Sequence, residues 1–209
     1  MCMKTTAIIA NGLIIDYPYI KQKISEYDRI IAVDGGVYHC RKMEIVPDLL
    51  VGDFDSANSG DMEFYKNIAV STFPVDKDDT DLELALRLAK EEGSEMIALF
   101  GALGKRIDHG LLNLDLIRQH PGKVLIESDY ETITGITGTQ TISCFPGQTV
   151  SFIPFGEVGL NISSVGLKWE LQHADISKNF YSVSNICLGD SFQIKIETGV
   201  LLCCRVRLL

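Results

Sequence analysis

Asp53 and Asp55 stand one residue apart in the stretch Val51-Gly52-Asp53-Phe54-Asp55-Ser56. If the extended backbone of the apolar run before them continues, both carboxylates point to the same side. Two such charges repel each other unless a cation sits between them. Hard oxygen donors suit Mg²⁺, which is usually shared with phosphates. A second acidic group, Asp76, Asp78, Asp79 and Asp81, crowds four acids into six positions. Capping and the helix dipole account for one or two of them. The surplus points to a metal or a substrate. Turn formation is the plain alternative for these acids, and a D-x-D spacing alone does not decide between the readings.

Basic residues gather elsewhere, in Gly101-Ala102-Leu103-Gly104-Lys105-Arg106-Ile107-Asp108-His109. A buried strand, glycines and then cations opening a helix suit an anion, which exposed N–H groups and the helix dipole attract. This is not a Walker A loop, because Leu99 stands where its first glycine would be and no Ser or Thr follows Lys105. His109 reads either as a general acid/base or as a structural hydrogen-bonding group at a helix start. Asp34-Gly35-Gly36 is either a tight turn or a place where backbone closely approaches a ligand.

These residues must be positioned by the elements before them. Apolar strand runs cover Thr5–Ala10, Arg29–Val33, Leu49–Val51, Val70–Phe73, Met96–Phe100 and Lys123–Glu127. Helices are expected over Pro18–Ser25, Asp61–Asn67, from Thr80 to Gly93, and from the basic loop to His120. Thr80 with Glu83 fits a capping box, and Leu82, Ala85, Leu86 and Ala89 share one face that Leu84 and Leu88 widen. Strands alternating with helices imply an open, mostly parallel α/β sheet with its site at the carboxyl edge. From about Tyr130 the runs become short and β-branched, with Gly or Pro breaks, as in Gln148–Ile153, Phe192–Glu197 and Val200–Leu208. That texture predicts an all-β domain. The expected division is residues 1–130 and 131–209. In the second part, Trp169 taken alone reads as a core side chain, although a flat aromatic beside a cleft suits a flat heterocycle.

Composition narrows the class. The 209 residues allow one large domain or two small ones. A net charge of −9 with no basic block disfavours a dedicated nucleic-acid binder. No apolar run approaches the length of a membrane helix and no leader-like segment is seen, so a soluble cytoplasmic protein is expected. The six cysteines show no C-x-x-C spacing, which disfavours a zinc cluster and fits a reducing compartment.

Taken in order, Asp34-Gly35-Gly36, Pro47-Asp48, Gly52 to Ser56, Asp76 to Asp81, Gly101 to His109, Gly166 to Trp169 and Ser184-Asn185 resemble the thiamine pyrophosphokinase family. The G-D-F-D-S segment followed by D-x-T-D is the specific part. The resemblance implies an α/β protein: an N-terminal three-layer α/β/α domain with a mostly parallel sheet, binding ATP and Mg²⁺, and a C-terminal all-β sandwich binding thiamine between domains near a homodimer interface. It implies transfer of a pyrophosphoryl group from ATP to the thiamine hydroxyl, with Asp53, Asp55, Asp78 and Asp81 holding Mg²⁺. Arg106 and Lys105 would stabilise phosphates, with Asp108 and His109 orienting their loop. Asp34, Gly35, Gly36, Ser56, Thr80 and Gly104 would line the nucleotide site. Trp169, Ser184 and Asn185 would contact thiamine. Lys105 departs from the family pattern, which has a glycine there. Three rivals stand beside this reading: a diphosphokinase for another heterocyclic alcohol such as a hydroxymethyl pterin, a non-catalytic nucleotide or thiamine sensor, and a metal phosphohydrolase.

Overall fold

Thr5–Ile9 (β1), Arg29–Val33 (β2), Leu49–Val51 (β3), Val70–Ser71 (β4) and Met96–Phe100 (β5) pair in parallel, in the order β5-β1-β2-β3-β4. This is seen in a computed structural model, which describes residues 3–53, 64–71, 79–154, 159–176 and 182–207. Ala7 to Ile9 and Ile97 to Phe100 are buried at every position. A strand buried without alternation is covered on both faces, as a three-layer α/β/α arrangement requires.

The helices start where local chemistry allows. Asp16 caps α1 (Tyr17–Ile24) by accepting from the Tyr19 N–H, and Pro18 occupies the first turn. Glycines 35 and 36 open α2 (Gly36–Met43). Helix α3 (Asp81–Glu91) begins with the expected reciprocal capping box, in which the Thr80 N–H reaches Glu83 Oε2 at 2.7 Å and the Glu83 N–H reaches Thr80 Oγ1 at 3.3 Å. Its apolar face is buried as its spacing predicts: Leu82, Leu84, Ala85, Leu86 and Ala89. Helix α4 (Ile107–Gln119) follows the basic loop, and β6 (Val124–Glu127) follows it. Expected elements at residues 61–63 and 72–73 lie outside the described residues.

The chain adds β2, β3 and β4 on one side of β1, then returns to place β5 on the other side. Strand order therefore reverses between β1 and β5. Loops leaving the carboxyl ends of two such strands diverge, and the divergence opens a crevice.

Two compact units form: Met1–Asn113 with Ile126–Asp129, and Leu114–Leu125 with Tyr130–Leu209. The second is built on β7 (Glu131–Ser143), β8 (Thr149–Pro154), β9 (Gly159–Val165), β10 (Ala174–Ile176), β11 (Ser182–Ile186) and β12 (Ser191–Val206). The runs 192–197 and 200–208 of the sequence are one strand, bent near Gly199, whose φ is +91°. The first half of β12 pairs with β9 and the second half with β8, while β7 pairs with both halves. This makes a sandwich, with Phe152 and Phe192 meeting edge to face at 5.8 Å in its core. Cys187 and Cys203 are buried here, and Cys40 in the first unit. Burial pushes all three thiols up to about 12, so they behave as small apolar side chains.

Candidate active site

A cavity of about 390 Å³ lies at the reversal of strand order. It is lined by Ala10, Asn11 and Gly12 after β1, Val33 and Asp34 after β2, Thr80 to Leu82 at the start of α3, and Gly101 to Leu103 with Lys105, Arg106, His109 and Asn113. Its walls are close because side chains are missing. Gly12 donates to Gly101 O at 2.5 Å and Leu13 donates to Leu103 O at 2.7 Å. A Cβ at Gly12 would run into both carbonyls, and one at Gly36 into that of Ile9. Asp34 adopts a left-handed φ of +46°, which aspartate tolerates, and its carboxylate lies over the α-carbon of Gly52. The glycine of the G-D-F-D-S segment is thus required by the aspartate of the D-G-G segment.

A buried histidine supports this floor. His39 lies within hydrogen-bonding distance of Gly12 O through Nε2 and of the Tyr17 hydroxyl through Nδ1, each at 2.9 Å. A carbonyl can only accept, so Nε2 carries the proton and Nδ1 accepts from Tyr17. Burial holds His39 below its ordinary value of 6.5, with the Gly12 carbonyl opposing and Lys105 reinforcing the shift. The ring is therefore a neutral strut at neutral pH.

Charge is divided across the cavity. Arg106 grips Asp108 through two bonds, Nε to Oδ1 at 3.1 Å and Nη2 to Oδ2 at 2.5 Å. The hydrogen bond from Arg106 is the main reason Asp108 falls to about 2. Asp108 thus holds the Arg106 guanidinium in one orientation. Lys105 Nζ donates to Asn11 Oδ1 at 2.8 Å. His109 lines the cavity and is exposed. On the acidic side, Asp81 lines the cavity at the first turn of α3, and Asp53 is exposed just beyond β3. Asp79 pairs with Arg87 at 2.7 Å. Asp55, Ser56, Asp76 and Asp78 lie outside the described residues. Thr80 lines the cavity and also caps α3, and Gly104, at a φ of +103°, passes beside Leu13 in a place that leaves no room for a Cβ.

In the second unit, Trp169 is 55% exposed, which overturns its reading as a core side chain. The cause is local. Asn185, only 2% exposed, donates to Trp169 O at 2.6 Å and accepts from the Trp169 N–H at 3.1 Å. Gly166, at a φ of +91°, accepts from the Leu188 N–H. The loop backbone is held, and the ring projects. Lys168 Nζ lies 4.6 Å from the ring centroid, a cation–π contact. Ser184, exposed and at a φ of +58°, sits in β11 where its register slips. Asn185, expected to touch a ligand, has its amide committed to the Trp169 backbone.

Asn11, Gly12 and Asn113 were not singled out from sequence. Asn113 is buried and donates to Ala102 O at 2.7 Å, holding the basic loop from behind. The one available signal was Asn11-Gly12 breaking an apolar strand, which also describes any turn.

Residues 20–126 match the family model described as thiamin pyrophosphokinase, catalytic domain, and residues 139–201 match thiamin pyrophosphokinase, vitamin B1 binding domain. Thiamine pyrophosphokinase of Bacillus subtilis is 28% identical over 201 residues, covering 90% of this chain and 89% of the relative. The crystal structure of thiamine pyrophosphokinase from Bacillus subtilis superposes with a TM-score of 0.85 at 26% identity, covering 99% of this chain and 100% of that one. The corresponding structure from Geobacillus thermodenitrificans gives 0.84 at 26% identity, covering 98% of each chain.

Proposed function

The chain belongs to the thiamin pyrophosphokinase family, and from that premise we propose that it transfers the pyrophosphoryl group of ATP to the hydroxyl of thiamine. The observation that carries this reading is the crevice at the β1/β5 reversal, where close backbone, two cations and carboxylates converge. Polyphosphate recognition asks for that combination.

In the proposed reaction the thiamine hydroxyl oxygen attacks the β-phosphorus of ATP. A bond forms there, and the bond from the β-phosphorus to the oxygen bridging it to the α-phosphate breaks. AMP leaves with that oxygen, and the hydroxyl proton passes to a carboxylate or to solvent. Such a displacement needs alignment and charge neutralisation more than covalent participation. Arg106, fixed by Asp108, and Lys105 supply positive charge from the basic loop. Asp34 and the glycines after it shape the floor. His109 stands at the rim as a further polar contact to phosphate. Trp169, with its ring projecting, stacks on a thiamine heterocycle, Ser184 lies close by, and Asn185 acts through Trp169.

The carboxylates of exposed Asp53 and half-buried Asp81 are hard donors that fit Mg²⁺, and we assign them to it together with Asp55 and Asp78. When bound, the ion screens the phosphate oxygens from this acidic chain and polarises them. The enzyme is proposed to work as a cytoplasmic homodimer, in keeping with cysteines that are not paired in disulfides among the described residues.

The test is AMP formation from ATP and Mg²⁺ with and without thiamine, the second product being identified by mass. Thiamine-dependent AMP with one thiamine diphosphate per turnover is expected. AMP release only with a pterin alcohol would move the specificity, and phosphate release without an acceptor would replace the reaction class. Asp81→Asn should lower turnover about a hundredfold while the fold persists; near-normal turnover would remove Asp81 from the metal set.

A further inference from the structure

We infer that Asn11 is a positioning residue that holds the Lys105 ammonium over the crevice, so that the two together grip the ATP polyphosphate. This rests on the nucleotide reading of the same crevice. Two cations enter the cavity from the basic loop, and they differ in what they touch. Arg106 lies against a carboxylate, Asp108, which offsets its charge locally. Lys105 lies against a neutral amide oxygen. Its charge is therefore undiminished, and an ammonium has three donors of which Asn11 engages one. In a chain with a net charge of −9, that ammonium is a counter-charge the polyphosphate needs.

The placement of Asn11 is built into the fold. It follows β1, on the opposite lip of the crevice from Lys105, 94 residues away in sequence. A Cβ at Gly35 would strike the Asn11 amide, so the glycine makes the space the amide fills. The backbone on either side is fixed by the Ala10 N–H to Phe100 O before it and by the Gly12 N–H to Gly101 O after it. A long, mobile lysine is thereby given one orientation before nucleotide arrives, which lowers the ordering cost of binding.

The experiment measures the Kd of a non-hydrolysable ATP analogue with Mg²⁺ by calorimetry at two ionic strengths, and KM for ATP and for thiamine. The proteins are the full-length wild type, Asn11→Ala, Lys105→Gly, Lys105→Met and the double variant Asn11→Ala/Lys105→Gly. Lys105→Gly and Lys105→Met should each weaken the analogue about fivefold and flatten its salt dependence, as loss of a solvent-exposed charge contact does. Asn11→Ala should weaken it about twofold to threefold in the wild type and not at all in the Lys105→Gly background, because coupled residues are non-additive. Lys105→Met keeps the aliphatic stem and guards against a glycine effect on the loop. An unchanged Kd and salt slope in both Lys105 variants would overturn the inference. So would an Asn11→Ala effect of the same size in both backgrounds. Failure of the wild type to bind the analogue at all would instead overturn the nucleotide reading beneath it.

Discussion

Around the crevice of the α/β unit the chain comes close because side chains are absent. Gly12 lies against the carbonyls of Gly101 and Leu103, and Gly36 against that of Ile9. The Trp169 loop of the β unit shows the reverse: a large side chain is present, exposed, and aimed by a buried amide beneath its backbone. The difference follows the chemistry of what each is proposed to hold. A polyphosphate is recognised by backbone N–H groups and charges, which only a stripped backbone presents closely. A flat heterocycle is recognised by area, which only a rigid aromatic supplies cheaply in entropy. Electrostatics divide the same way. The crevice sets cations against carboxylates, whereas near Trp169 the cation is Lys168 on the face of the ring itself.

The sharpest way to break this contrast is to add one methyl group to the crevice. Gly12→Ala places a Cβ against two carbonyl oxygens and should cost about 3 kcal/mol of stability by displacing the paired loops. Urea unfolding measures it, and the nucleotide analogue should lose measurable binding. A Gly12→Ala protein as stable as wild type would show that the close approach is not required. On the other side, Trp169→Ala should raise KM for thiamine about thirtyfold, the loss of one aromatic stacking surface. Asn185→Ala should raise it about tenfold without touching the ring, since it removes the two hydrogen bonds that Asn185 makes to the Trp169 backbone. Both variants should leave KM for ATP within about twofold, because neither residue lines the crevice; an equal rise for both substrates would mean that the Trp169 loop also serves the nucleotide.

The smallest effect concerns pH. His39 sits below 6.5 in the folded protein, chiefly because it is buried. Below 6.5 the unfolded chain takes up a proton that folded His39 refuses, so stability falls as pH drops through that window toward the folded value. His39→Gln removes the titration and should flatten the difference in unfolding free energy between about pH 7.5 and pH 5.5. Equal losses in wild type and variant would assign the slope to another group. Asp108 contributes no such slope there. Its carboxyl is lowered to about 2, so the ionised form that holds Arg106 is lost only as pH falls below the ordinary carboxylate range.

Local chemistry made much of this legible from the chain alone. The period of Leu82, Ala85, Leu86 and Ala89 and the Thr80–Glu83 box determined α3, since a helix start and its buried stripe depend on neighbours a few residues away. Unbroken apolar runs determined β1, β2 and β5 for the same reason. The order of acidic, basic and glycine segments was sufficient to state the family resemblance. Other features depend on residues far apart in sequence and were decided only by the tertiary structure. The strand order β5-β1-β2-β3-β4 put the reversal between β1 and β5, and with it the partnership of Asn11 with Lys105. Gly52 reads as a turn former until Asp34 is seen lying over it. Trp169 reads as core until Asn185, sixteen residues on, is seen holding its backbone at the surface. Hydrophobic pattern reports which side chains leave water. It does not report which loops meet, because loop meetings are set by how strands are ordered in the sheet, a property no local stretch contains.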